Sequence, residues 1–251
     1  MVKKEKMMKI VELNQIISNI LNENTFPDNA TNGIEVETTT NISRIQIAVD
    51  ASLDSINAAV KNKVDCLIVH HGLWWGACNP LVGSFFQRIK PLIINNIGLI
   101  SYHLPLDVSS KIGNNVIMLA KMNAQIIKPL GYGFIGLFNE SVSIEQIINS
   151  LEIDMNKVGR YLNFGSKDIK KVLVCSGGGV SGLNPAISEG CDLFITGELP
   201  HYAVNIAKEA RINVLVGGHY HTETFGIRAL GDYLAKNYQI DVFYDNFDTG
   251  F

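Results

Sequence analysis

The stretch NAAVKNKVDCLIVHHG at 57–72 aligns without a gap on NPAISEGCDLFITGEL at 184–199. Asn57 falls on Asn184, Asp65 on Asp192, the apolar run 66–69 on 193–196, and His71 on Glu198. Each copy reads as a helix end, an acid-bearing turn, a short apolar strand and a polar strand end. A strand with no polar alternation is buried on both faces, as parallel strands in α/β proteins are. Further on, His103 and Asp107 stand four residues apart after one apolar run, and His219 and Glu223 four apart after another. Two unrelated βαβ units with similar turn chemistry are the alternative. The aligned block and the repeated His-x-x-x-acid together favour a duplicated α/β unit.

The rest of the chain fits that frame. Strands are expected at 45–50, 66–70, 98–103, 172–176, 193–197, 213–217 and 240–245. Helices are expected at 53–62, 84–96, 113–123, 183–189, 201–210 and 221–238. Between 125 and 165 the pattern loosens into a connecting segment with its own strand and a helix near 143–151. The reading is an α/β protein of two similar lobes, 1–124 carrying His70, His71 and Asp107, and 125–251 carrying His219 and Glu223. If the lobes are duplicates, both direct their strand ends at one cleft.

Composition removes several classes. An apolar fraction of 47% with 18% charged residues is that of a globular protein, and the net charge of −3 with scattered Lys and Arg gives no footprint for nucleic acid. No apolar run is long enough to span a bilayer. The opening MVKKEKMMKI has no apolar stretch or small-residue cleavage site, so a secretory leader is not expected and the location expected is cytoplasmic. Cys66, Cys78, Cys175 and Cys191 form no CxxC pair. They read as reduced thiols, with Cys66 and Cys78 the only candidates for a thiolate ligand because they flank the His pair.

Strand ends of α/β sheets are where ligands and catalytic groups collect. His70 and His71 follow CLIV, His103 follows GLISY, and His219 follows NVLVGG. Imidazole nitrogens with carboxylate oxygens suit a divalent metal ion. Adjacent strand residues point to opposite faces, so His70 and His71 share one site only if the strand ends there and Gly72 lets the chain turn. His219 and Glu223, at i and i+4, share a helix face, although a carboxylate in a first turn also serves the helix alone. Asp107 has a competing role as a helix cap. Thr196-Gly197-Glu198 with His201 adds an acid and an imidazole at another strand end, where Glu198 is either a general base or the partner of a ligand histidine. Ser176-Gly177-Gly178-Gly179 reads as a tight turn or a phosphate cradle, and Trp74 and Trp75 as ring platforms or packing residues.

These residues carry a resemblance. DNATNGIEVE (28–37), VDCLIVHHGLWWG (64–76), SYHLPLDVSSKIGNN (101–115), LFITGELPH (193–201) and GGHYHTETFG (217–226) resemble, in order, the motifs of the Nif-three-like dinuclear metal-centre proteins. That family is also known as GTP cyclohydrolase I type 2 homologues, and this chain is similar to its short form. The resemblance implies two α/β lobes with a metal pair in the cleft between them. It also implies a toroidal homohexamer built as a trimer of dimers. Its motifs place the ligands at His70, His71, Asp107, His219 and Glu223, with Glu223 bridging. His103 and His201 match positions near the site and are assigned, with Glu198, to proton transfer or ligand support.

The function expected is that of a metal-dependent hydrolase using a metal-bridged water on a nucleotide- or pterin-like small molecule. It would need two divalent ions per subunit, drawn from Zn, Fe, Mn or Mg. The alternative is a metal-handling protein, serving insertion or chaperoning, or an adaptor, with the same ligands and no turnover.

Overall fold

The structure, a computed structural model, describes residues 8–21, 27–77 and 79–251. The first elements are α1 (Ile10–Leu21), β1 (Gly33–Val36), β2 (Arg44–Asp50), α2 (Leu53–Lys61), β3 (Cys66–His71), α3 (Gly83–Ile94), β4 (Gly98–Ser101) and α4 (Leu104–Val108). There follow α5 (Asn114–Lys121), β5 (Gln125–Leu130), β6 (Gly133–Val142), α6 (Ile144–Leu151), β7 (Arg160–Leu162) and β8 (Ile169–Cys175). A short 3-10 turn at Gly179–Gly182 leads to α7 (Leu183–Ser188), β9 (Leu193–Thr196), α8 (His201–Ala210) and β10 (Asn213–Val216). The chain closes with α9 (His219–Thr222), α10 (Thr224–Tyr238) and β11 (Asp241–Tyr244).

Two compact units result. Unit 1 comprises Met1–Leu106 and Ile227–Phe247, and unit 2 comprises Asp107–Gly226 and Asp248–Phe251. This differs from a division at 124/125 for two reasons. β11 returns to pair in parallel with β2, which carries most of α10 into unit 1. The helix α5 packs Val116, Met118 and Leu119 into the core of unit 2.

Unit 1 is built on a five-stranded sheet of order β1-β4-β3-β2-β11. β2, β3, β4 and β11 are parallel neighbours, and β1 is antiparallel to β4. Cys66, Leu67, Ile68 and Val69 are all fully buried, as a strand covered on both faces requires. One face packs Leu67, Val69 and Leu99 against Ile56 and Ala59 of α2 and Phe85, Ile89 and Leu92 of α3. Truncating one of these leucines to alanine costs about 2–5 kcal/mol. Ser52 and Ser55 form a reciprocal capping box that starts α2 where the sequence turns away from β2.

Unit 2 has a six-stranded sheet of order β5-β6-β8-β9-β10-β7, with β8, β9 and β10 parallel. The segment at 125–165 is therefore part of the sheet rather than a connector. β5 and β6 form an antiparallel hairpin, and β7 closes the other edge. Pro129 is tolerated because β5 is an edge strand. One apolar cluster joins α5 and α6 to one face, and another joins α7 and α8 to the other.

The aligned block has the same job in each unit. Asp65 Oδ2 accepts the backbone N–H groups of Ser43 and Arg44, at 2.8 and 2.9 Å. Asp192 Oδ2 accepts those of Lys170 and Lys171, both at 2.9 Å. Each aspartate ties the start of its own strand to the start of the preceding one. No helix among the described residues is long and apolar enough to cross a membrane.

Candidate metal-binding residues

In unit 1, β3 ends on His70 and His71, whose ring centroids are 4.5 Å apart. One ring nitrogen from each of His70, His71 and His103 lies within 4.8 Å of the others. The three rings are held alike. His70 Nδ1 lies 3.0 Å from the Tyr102 carbonyl oxygen, His71 Nδ1 2.8 Å from Asp50 Oδ1, and His103 Nδ1 2.9 Å from Asp28 Oδ1. A carbonyl only accepts, so a neutral His70 carries its proton on Nδ1 and presents Nε2 as a lone pair. The same tautomer is favoured at His71 and His103. Oxygen acceptors behind imidazoles are the usual support of metal-ligating histidines.

Gly72 follows this pair, but no left-handed backbone explains it. A Cβ there would lie 2.2 Å from Glu35 Oε1. Glu35, on β1, accepts the Leu73 and Trp74 N–H groups at 2.7 and 3.2 Å. Burial is the main influence on its carboxyl and raises it above the ordinary value, against these hydrogen bonds. Glycine is thus required for the close approach that fixes the turn after the His pair. The two tryptophans differ: Trp74 packs edge-on to Phe85, while Trp75 is exposed and lies 4.9 Å from the His103 ring.

Asp28 accepts the Ala30 and Leu104 N–H groups at 2.9 and 3.0 Å, besides facing His103. Burial works to raise its carboxyl. Hydrogen bonds from Asn32, His103 and Ala30 outweigh that and hold it below the ordinary value. Asp28, Glu35 and Asp50 were not singled out from the sequence. Asp28 and Glu35 are signalled only by their place in the DNATNGIEVE motif, and Asp50 only by its place at the end of the IQIAVD strand.

In unit 2, Asp107 and Glu223 are both buried, and a carboxylate oxygen of each lies within 4.8 Å of the other. Asp107 Oδ1 accepts Asn114 Nδ2 and Ser176 Oγ, each at 2.8 Å. Glu223 stands at the junction of α9 and α10, where the expected single helix breaks. His219 lies between two acids, with Nε2 3.2 Å from Glu223 Oε2 and Nδ1 hydrogen-bonded to Glu198. Its pKa is pushed up to about 9, first by the hydrogen bond to Glu223 and also by Glu198, against burial. Gly177, at φ +57°, makes room for this group, since a Cβ there would sit 2.0 Å from Glu223 Oε1. The glycine turn is thus part of the carboxylate site.

His201 is exposed at the start of α8 and belongs to neither cluster among the described residues. His221 Nε2 lies 2.8 Å from the Leu151 carbonyl oxygen, a packing role. Burial pushes the Cys66 thiol up and places it at the first residue of β3, the opposite end of the strand from His71, so it is no thiolate ligand. Burial also pushes Cys175 up to about 12 and Cys191 up to about 11. Cys78 lies outside the described residues.

Imidazoles fixed from behind and close buried carboxylates are a donor set that fits divalent cations. The family model for Duf34/NIF3 (NGG1p interacting factor 3) matches residues 8–249. The chain belongs to this family. Among NIF3 relatives, the "GTP cyclohydrolase 1 type 2 homolog" of Haemophilus influenzae is 35% identical over 249 residues, covering 96% of this chain and 99% of that one. The protein of the same name from Pyrococcus horikoshii is 37% identical over 244 residues, covering 94% and 97%. The solved structure of ybgI, a protein described as of unknown function, superposes with a TM-score of 0.90 at 31% identity, covering 97% of this chain and all of that one.

Proposed function

We propose that the chain is a dinuclear metal-binding hydrolase, with His70 and His71 as ligands from unit 1 and Asp107, His219 and Glu223 as ligands from unit 2. The observation that carries this reading is the shared arrangement of the unit 1 histidines. Each Nδ1 faces an oxygen acceptor, which favours the tautomer whose Nε2 carries the lone pair that a cation takes. The close, buried Asp107 and Glu223 carboxylates support it from unit 2, since like charges so placed call for a cation or a proton.

Two divalent ions held by this set would lower the pKa of water towards neutrality and polarise a substrate's carbonyl or phosphoryl oxygen. The chain's own groups have separable roles. Asp50 orients His71, and Glu198 orients His219 through Nδ1. His103 is the proton carrier: Asp28 stays ionised behind its Nδ1 and steadies the imidazolium formed when Nε2 takes a proton. The reaction class is hydrolysis of a nucleotide- or pterin-like small molecule, supported by the names of the relatives.

The proposed assembly is a homohexamer. It is supported by the apolar surface that α3 leaves uncovered, where Phe86, Ile93 and Ile94 are exposed.

Turnover of a panel of phosphoesters and nucleotides, with and without chelator, tests the reading. Activity that needs metal and is lost in Glu223→Gln, with the fold retained, is the expected result. Activity that persists in the stripped Glu223→Gln protein would overturn it. Failure of the whole panel, with rapid metal exchange, would instead favour a metal-handling protein.

A further inference from the structure

Unit 2 contains a cavity of about 520 Å³, the size of a site for a small organic ligand. Its floor is the carboxyl end of the parallel strands. Gly178 follows β8, Gly197 and Glu198 follow β9, and Gly218 follows β10. This is where α/β sheets bind ligands. β7 runs antiparallel to β10 with Arg160 opposite Val216, so the start of β7 falls at this same edge.

The 154–160 segment forms one side of the cavity and contributes Lys157, Val158 and Arg160. It is a fixed turn. The Asp154 carbonyl accepts the N–H groups of Lys157, Val158 and Gly159, each at 3.1 Å, and Asp154 Oδ1 accepts that of Asn156 at 2.9 Å. Gly218, at φ +88°, admits it closely, because a Cβ there would lie 3.0 Å from Val158. Lys157 Nζ is 3.8 Å from Asp154 Oδ2, beyond hydrogen-bond distance, which leaves its donors for a ligand. The lining acid, Glu198, is already engaged by His219 Nδ1. Val158, Val180, Leu199 and Val216 give the remaining lining an apolar character.

We infer that this cavity is the substrate subsite, and that it takes a small organic phosphate, with Lys157 and Arg160 on the phosphate and the apolar lining around the body of the molecule. Two cations suit a dianionic phosphate monoester better than a single carboxylate, and guanidinium matches its oxygens in a fork. The inference rests on the proposed function, whose substrate class it sharpens. Glu198 joins the two, lining the cavity and holding a candidate ligand histidine.

The test is calorimetric titration of the metal-loaded protein with guanosine 5′-monophosphate, guanosine and inorganic phosphate, beside Lys157→Ala, Arg160→Ala and Arg160→Lys. Both lining cations are exposed, so these variants are expected to fold and to keep their metal. Guanosine 5′-monophosphate should bind the parent, with affinity falling about tenfold to a hundredfold in the alanine variants and less in Arg160→Lys. Equal affinity in parent and variants overturns the inference. So does a metal-loaded parent that binds none of the probes at millimolar concentration, a result that leaves the metal reading standing. Arg160-dependent binding by a protein that never holds metal would sustain the subsite and sink the metal reading.

Discussion

Asp50, the last residue of β2, places Oδ1 2.8 Å from Nδ1 of His71, the last residue of β3, and the two face each other in the parallel register. The acid acts through the imidazole, fixing its tautomer and its ring orientation. Asp50→Ala should therefore weaken metal binding about 10- to 100-fold with the fold intact. Competition against a chromophoric chelator, with circular dichroism as the control, measures this.

Gly177→Ala should be worse than an ordinary turn substitution. The new Cβ meets Glu223 Oε1 at 2.0 Å on a backbone at φ +57°. The strained backbone alone should cost about 1 kcal/mol or more. The displaced carboxylate should also lower the metal bound per chain. Thermal melts and elemental analysis separate the two effects.

The fold and the site were legible to different depths. The parallel strands could be read because burial on both faces leaves unbroken apolar runs at Cys66–Val69 and Leu193–Ile195. The likeness of the two aligned blocks could be read because Asp65 and Asp192 each tie one strand start to another, a job that fixes both residue type and spacing. Unit boundaries were not legible, because β11 pairs with β2 across most of the chain and leaves no local pattern. The acids behind the histidines were hidden likewise. Asp28 is 75 residues from His103 and Asp50 21 from His71, separations that no periodicity marks.

Asp28 gives a pH signature. Its folded pKa lies below its ordinary 3.8, so its contribution to stability is present above that value and fades as pH falls through the lower, folded one. The parent should lose thermal stability more steeply than Asp28→Asn as pH is taken from about 5 towards 2. Parallel profiles in the two proteins would contradict the ionised Asp28 on which His103 depends.

Trp75 should report metal binding directly. It is 43% exposed, with its ring 5.8 Å from that of His71, whereas Trp74 packs on Phe85. Titration with Co²⁺ or Ni²⁺ should quench indole emission in the parent and in Trp74→Phe, and much less in Trp75→Phe.

The central claim is tested most directly by elemental analysis of metal per chain, on untagged protein purified without chelator, for the parent, Asp107→Asn and Glu223→Gln. Close to two ions in the parent, with a clear loss in both folded variants, is the predicted result. A parent without bound metal, or variants that retain the full complement, would contradict the account.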